Sequence, residues 1–302
     1  MTPCLIIDSQ VHPYERNHPQ RPWHAALEGP PEVTGDDMIA AMDRAGVDAA
    51  LLVSSITLYR YDPRYALKAY AARPSRFAVI KPFDPADANV GEQIEEWAAT
   101  PGVVGTRVLL DERDDWDADD QGLNQIFATS ARVGLPVAVH APRQLKLIKK
   151  IAANHPDTQV VLDHLGLEQP LAPPPASNPF DGIDHILALA ELDNVVIKVS
   201  GVCTLSHKPF PYEDIWPPLL KIIESYGIER CLWGTDWTRA LRLCSYEQSV
   251  DAFARTDHLS ASEITALMAG NLMRVYDWRP TSGRFDQPLK PSARSREAQC
   301  DY

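Results

Sequence analysis

Eight short runs rich in valine, isoleucine and leucine recur along this chain, and a stretch of helical periodicity follows each one. The runs are Leu5–His12, Ala49–Ser54, Phe77–Phe83, Val103–Leu110, Pro136–Ala141, Val160–His164, Val195–Gly201 and Cys231–Trp237. Strands that are apolar almost throughout belong to a sheet covered on both faces. Their alternation with helices implies parallel strands joined by right-handed crossovers. Eight such units in 302 residues fit one α/β domain of the (β/α)₈, TIM-like barrel type. An open doubly wound sheet is the competing arrangement. No G-x-G-x-x-G follows the first run, which counts against a dinucleotide-binding version of it.

The helical segments carry their own start and stop signals. Asp36–Ala45 follows Thr34, an N-cap residue, and ends at Gly46. Gln144–Ala153 sets Leu145, Ile148 and Ile151 on one face and Lys146, Lys149 and Lys150 towards water. Ser260 and Glu263 form a capping-box pattern, predicting a helix over Glu263–Tyr276. Long connections follow the first, sixth and seventh runs (Pro13–Val33, Leu165–Phe180 and Val202–Pro218). In a barrel these loops build the C-terminal face, where active sites lie. Five prolines in the sixth loop, Pro170, Pro173, Pro174, Pro175 and Pro179, would stiffen it into a wall or lid. The barrel domain is expected over 1–278, and a polar tail over 279–302.

Composition removes several function classes. A hydrophobic fraction of 45% supports a packed core rather than disorder. A formal charge of -12 opposes a nucleic-acid partner, although it leaves room for a small anionic substrate held by one local cation. No secretory leader pattern and no apolar run of membrane-spanning length is present, so a cytoplasmic protein without a membrane partner is expected. Five scattered cysteines (Cys4, Cys203, Cys231, Cys244 and Cys300) with no C-x-x-C read as reduced thiols, with Cys4 and Cys231 as buried small hydrophobes.

The polar residues on the runs carry the functional argument. Asp8, Gln10 and His12 share one face of the first strand, with His12 at its C-terminal end. The fifth run ends in His140, the sixth in His164, and the eighth carries Asp236 near the same end. A single strand-end histidine is more often a satisfied hydrogen-bonding residue than a ligand. Three of them and an aspartate converging on one rim point to a site instead, and imidazole with carboxylate is a common metal-ligand chemistry.

Three cations also interrupt apolar strands: Lys81, Arg107 and Lys198. Each needs a buried partner or an anionic ligand. Arg107 is read as a fork for a substrate carboxylate, with an internal pair to Asp8, Asp84 or Asp163 as the alternative. Tyr14, Trp23, Tyr212 and Trp216 are candidates for pocket walls. The remaining histidines, His207 in the seventh loop among them, are read as surface or loop residues.

On these residues the chain resembles the amidohydrolase superfamily, in the branch called amidohydrolase-2. The pieces are Ile7-Asp-Ser-Gln-Val-His12, Val139-His140, Leu162-Asp-His164-Leu-Gly166, Trp233-Gly-Thr-Asp236-Trp237 and Gly270-Asn-Leu-Met-Arg-Val-Tyr276. The resemblance implies one divalent metal ion, zinc or manganese, on His12, His140 and Asp236, with metal-independent activity left open. It also puts the first-strand H-x-H on Gln10 and His12. An amide replaces the first imidazole, which argues against two metals.

The expected function is hydrolysis of a small carboxylated lactone or related ester. Asp236, His164 and His12 would be catalytic, and Arg107, Gln10, Tyr14 and Trp237 would bind substrate. A non-oxidative decarboxylase of an aromatic or muconate-type acid is the alternative, and a non-catalytic ligand-binding barrel is the alternative from another class. A homo-oligomer is compatible with everything above.

Overall fold

Residues 5–26, 28–110 and 115–281 are described by the computed structural model. Cys4, Cys300 and all of the expected tail beyond Thr281 lie outside the described residues.

The eight runs form eight strands: β1 (Ile7–Val11), β2 (Ala49–Val53), β3 (Phe77–Pro82), β4 (Val103–Leu109), β5 (Val137–His140), β6 (Val160–Leu162), β7 (Val195–Ser200) and β8 (Cys231–Gly234). They lie in sequence order in one sheet, and each neighbouring pair is parallel. A parallel bridge between Val11 and Trp237 brings the last strand back to the first, and the His12 N–H donates to the Trp237 carbonyl at 2.6 Å. The expected (β/α)₈ barrel is the fold, and its strand interiors are buried as a sheet with two covered faces requires.

The seam between β1 and β8 is held by a side chain as well as by backbone. The fully buried Asp8 carboxylate accepts from the Thr235 backbone N–H at 3.0 Å and its hydroxyl at 2.5 Å. It also accepts from the Gln10 N–H at 3.0 Å. Burial pushes the Asp8 carboxyl up to about 6, against the pull of these hydrogen bonds.

Two apolar layers divide the core. The outer one packs strand side chains such as Leu52, Val79 and Val139 against helix residues such as Met38, Ile94 and Ile148. The inner one gathers Ile7, Leu51, Ile80, Val161, Val196 and Leu232 inside the barrel around Ala269, Leu272, Val275 and Tyr276. The C-terminal segment thus stoppers the barrel interior with its own apolar side chains.

The capping signals work as read, with two displaced starts, Gly35 for the expected Asp36 and Ala261 for the expected Glu263. Thr34 and Asp37 close a capping box on the helix Gly35–Ala45, and Gly46 ends it at φ 78°. Ser260 and Glu263 close another, but Ser260 is the N-cap, so the helix starts at Ala261 rather than at the expected Glu263. It then passes through a π turn at Ala266–Gly270 before Asn271–Val275. The Asn271 amide there donates to the carbonyls of Ile228 and Cys231 at 2.7 and 2.9 Å. Cys231 is buried as expected. Among the described residues no helix is long and apolar enough to cross a membrane.

Candidate active site

His12, His164 and Asp236 all stand just beyond their strands rather than on them, the last two at sharp turns. The sixth strand ends at Leu162, because His164 and Leu165 take left-handed backbone angles (φ 53° and 60°). The eighth ends at Gly234, and Asp236 has φ 58°. A non-glycine residue in this region costs on the order of 1–2 kcal/mol, so the surrounding fold over-determines both turns. Strain of this kind clusters at functional sites.

His12 follows β1 directly. Its Nδ1–H donates to the Val53 carbonyl at 2.7 Å, which turns Nε2 towards Asp236 Oδ1 at 3.1 Å and the Gln10 amide nitrogen at 3.2 Å. Lys198 Nζ donates to Gln10 Oε1 at 2.7 Å, so the hydrogen-bond network assigns the Gln10 N–H to the His12 side. Lys198 also pairs with Asp163 Oδ1 at 3.1 Å, and Asp163 Oδ2 accepts from Arg107 Nε at 2.8 Å. A buried chain, Arg107–Asp163–Lys198–Gln10–His12, therefore underlies the site. Burial would raise the Asp163 carboxyl, but Lys198 and Arg107 outweigh it and hold it below the ordinary carboxylate value.

His164 is buried against Ser200, whose Oγ accepts from the His164 backbone N–H at 3.3 Å and lies 2.9 Å from Nδ1. Burial takes the imidazole down to about 3, so the ring is neutral across the physiological range. His140 ends β5 with its ring edge-on to His164, centroids 5.5 Å apart. Asp236 is 1% exposed. Its Oδ2 accepts from Arg239 Nε and lies 3.9 Å from His164 Nδ1. Burial would raise this carboxyl too, yet the Arg239 guanidinium beside it holds it well below its ordinary value.

His12, His140, His164 and Asp236 share one cavity of about 750 Å³ with Arg107, Arg143 and Arg239. An adjoining cavity of about 810 Å³ behind the sixth loop shares Pro142, Arg143, Glu168 and Gln169 with it but contains none of those four residues. Tyr14 is in the wall of the first cavity, with its hydroxyl on the Pro30 carbonyl at 2.9 Å and its ring edge-on to Trp23.

Other expected contacts fall elsewhere. Gln10 is fully buried below the cavity floor. Trp237 packs on Tyr246, centroids 5.4 Å apart, and does not line the cavity. Trp216 is buried against Phe253. Arg107 reaches the cavity, but its Nε belongs to Asp163, the internal partner weighed as the alternative. Lys81 lies over the rings of Phe83 and Trp97. Of the expected metal set, His12 and Asp236 touch and His140 lines the same cavity; among the described residues no group of three or more His, Cys, Asp or Glu side chains has the arrangement to hold a metal ion.

Residues 7–278 match the model of the amidohydrolase family. The chain belongs to this family. It is a hydrolase of the amidohydrolase type, and its relatives cover most of its length. L-fucono-1,5-lactonase of Burkholderia multivorans is 27% identical over 90% of this chain and 96% of its own. The 4-sulfomuconolactone hydrolase of Rhizobium radiobacter is 26% identical over 75% of this chain and 71% of its own. A crystal structure of an amidohydrolase from Burkholderia multivorans with bound zinc superposes with a TM-score of 0.73. It is 24% identical and covers 90% of this chain and 99% of that one.

Arg239 of this amidohydrolase is the principal site residue that sequence reasoning missed. Its Nη1 donates to the Pro170 carbonyl at 2.6 Å, and its Nη2 to Gln169 Oε1 and Thr204 Oγ1 at 3.1 and 3.3 Å. The available signal was its position three residues after Asp236, on the same loop. Ser200, at the end of β7, was missed as well.

Proposed function

We propose that this amidohydrolase opens a small lactone bearing an anionic group, by adding water to the ring carbonyl. The observation that carries the reading is an ionised carboxylate and a neutral imidazole in one cavity, Asp236 and His164, with Arg107 and Arg143 in the same wall. Ester hydrolysis needs a proton acceptor for the attacking water and a donor at the carbonyl oxygen. Two relatives named for lactones favour a lactone over other esters.

In this mechanism Asp236 takes a proton from the water as its oxygen bonds to the carbonyl carbon. The oxyanion so formed accepts from the Nε2–H of His164, the tautomer favoured when the Ser200 hydroxyl donates to Nδ1. His12 stands beside Asp236, its Nε2 3.1 Å from Oδ1. As the tetrahedral species collapses, the bond to the ring oxygen breaks, and that oxygen receives the proton from Asp236. A carboxyl held well below its ordinary value is a weak base for the first step and a ready acid for the second. Arg107 and Arg143 hold the substrate's anionic group and orient the ring.

The residues present do not fit a resident divalent ion, so no step uses one. The His12 Nε2 lone pair faces an amide N–H of Gln10, and Asp236 Oδ2 already accepts from a guanidinium.

Turnover of a panel of anionic and neutral lactones by chelator-washed protein tests the proposal. Asp236→Asn is expected to lower kcat by about a thousandfold with the fold intact, the scale of a lost acid–base group. Near-wild-type turnover in that variant overturns the mechanism. Carbon dioxide release from a carboxylated substrate without ring opening would replace it with the decarboxylase reading.

A further inference from the structure

The geometry points to Arg239 as a built-in cation that occupies the place of a metal ion, so that this centre excludes divalent metals. Three loops hold the guanidinium: Gln169 and Pro170 after the sixth strand, Thr204 after the seventh, and Asp236 after the eighth. Its Nε and both terminal nitrogens have acceptors, so it is a fixed group and not a swinging surface arginine. Gly201 makes this approach possible. A Cβ there would stand 2.7 Å from Arg239 Nη2, 2.7 Å from Gln169 Oε1 and 3.4 Å from the Asp236 Cβ, and the residue has φ +69°.

The second half of the argument lies at His12. A metal bound beside Asp236 would need the His12 Nε2 lone pair, because Nδ1–H is given to the Val53 carbonyl. That lone pair faces the Gln10 amide N–H, and the amide cannot simply turn over, since Lys198 donates to its oxygen. An incoming divalent ion would meet the positive end of an amide on one side and a permanently charged guanidinium on the other. The two positions act together: Gln10 withholds a ligand, and Arg239 supplies the positive charge that Asp236 would otherwise seek. Arg239 is thus a positioning residue for Asp236, and the centre is complete without a metal.

The inference rests on the reading of Asp236 as the carboxylate of the centre. Metal stoichiometry tests it without any substrate, so its failure and that of the lactonase reading can be told apart. Chelator-washed protein is dialysed against zinc, and the retained metal is measured by elemental analysis with cobalt absorption as a second readout. Wild type is expected to keep less than about a tenth of an equivalent, whereas Gln10→His with Arg239→Ala keeps about one equivalent with the tetrahedral cobalt bands of a mixed nitrogen and oxygen site. Stoichiometric zinc in wild type that disappears in Asp236→Ala overturns the inference. So does a double variant with a normal thermal transition that binds no metal. Should that variant fail to fold, Arg239→Gln alone is expected to bind cobalt measurably more tightly than wild type, and equal binding overturns the inference.

Discussion

The two ends of this barrel solve the problem of a filled interior in opposite ways. At one end Leu272, Val275 and Tyr276 from the C-terminal segment pack among Leu51, Ile80 and Val161, and the contacts are apolar. At the other end the strands turn charge inward: Arg107, Asp163 and Lys198 are each less than 5% exposed and satisfy one another beneath His12. An apolar stopper stabilises through the area it removes from water. A buried ionic chain gives little net stability, because desolvation offsets most of its attraction. What it supplies here is orientation. Lys198 fixes the Gln10 amide, which faces His12, which contacts Asp236. One end keeps the barrel shut and the other aims a side chain.

The comparison breaks most sharply at Lys198. Lys198→Met leaves Asp163 with Arg107 alone and frees the Gln10 amide to turn. Removing one member of a buried charge pair costs about 3–5 kcal/mol, so chemical denaturation should show a loss of that size. Turnover by the surviving folded protein should fall as well, since His12 loses its fixed neighbour. A stability loss below about 1 kcal/mol with unchanged turnover would mean that the chain is not a coupled unit.

The stopper should behave differently. Leu272→Ala removes a side chain that is 1% exposed, and a cavity of this type costs about 3 kcal/mol. Its effect should appear in the thermal transition and not in kcat or KM at temperatures where the variant is folded. A change in KM would show that the two ends are mechanically linked and would dissolve the contrast.

How much of this was legible in the sequence follows the same division. The fold could be read because apolar strands need two covered faces, and eight of them leave few closed arrangements. Every expected run became a strand, shortened where the chain turns into the site. The convergence of His12, His140, His164 and Asp236 on one cavity was legible from their positions at strand ends. The left-handed turns at His164 and Asp236 were not, since neither residue is a glycine and only the packed surroundings enforce them. Arg107 shows the limit for a buried cation: a sequence cannot choose between a carboxylate of the protein and one of a ligand. Arg239 was hidden for a related reason. Its partners are Gln169, Pro170 and Thr204, from loops whose meeting only the folded barrel defines. The C-terminal helix announced its capping box but not which interior it would fill.

Asp8 belongs to neither end and offers the finest test of the contrast, because it is a charge placed where an apolar contact would ordinarily close the seam. Burial raises its carboxyl from 3.8 to about 6, so the folded protein holds this proton more tightly than the unfolded chain does. Below pH 4 both states are protonated and the full stabilisation is present. From about pH 4 to about 6 the unfolded chain ionises first, and stability drains away as pH rises. Above that both are ionised and the penalty is constant. A shift of about two pH units corresponds to about 3 kcal/mol as an upper figure. Asp8→Asn can keep the three contacts, with its oxygen accepting the two backbone N–H groups and its amide donating to the Thr235 hydroxyl. The stability of this variant relative to wild type should therefore climb between pH 4 and 6.5 and then level off, as read from urea midpoints at each pH. The corresponding difference for Leu272→Ala should stay flat across the same range. A flat Asp8→Asn difference would mean that Asp8 is ionised in the folded barrel throughout this range, and that the seam carries a charge rather than a neutral acid.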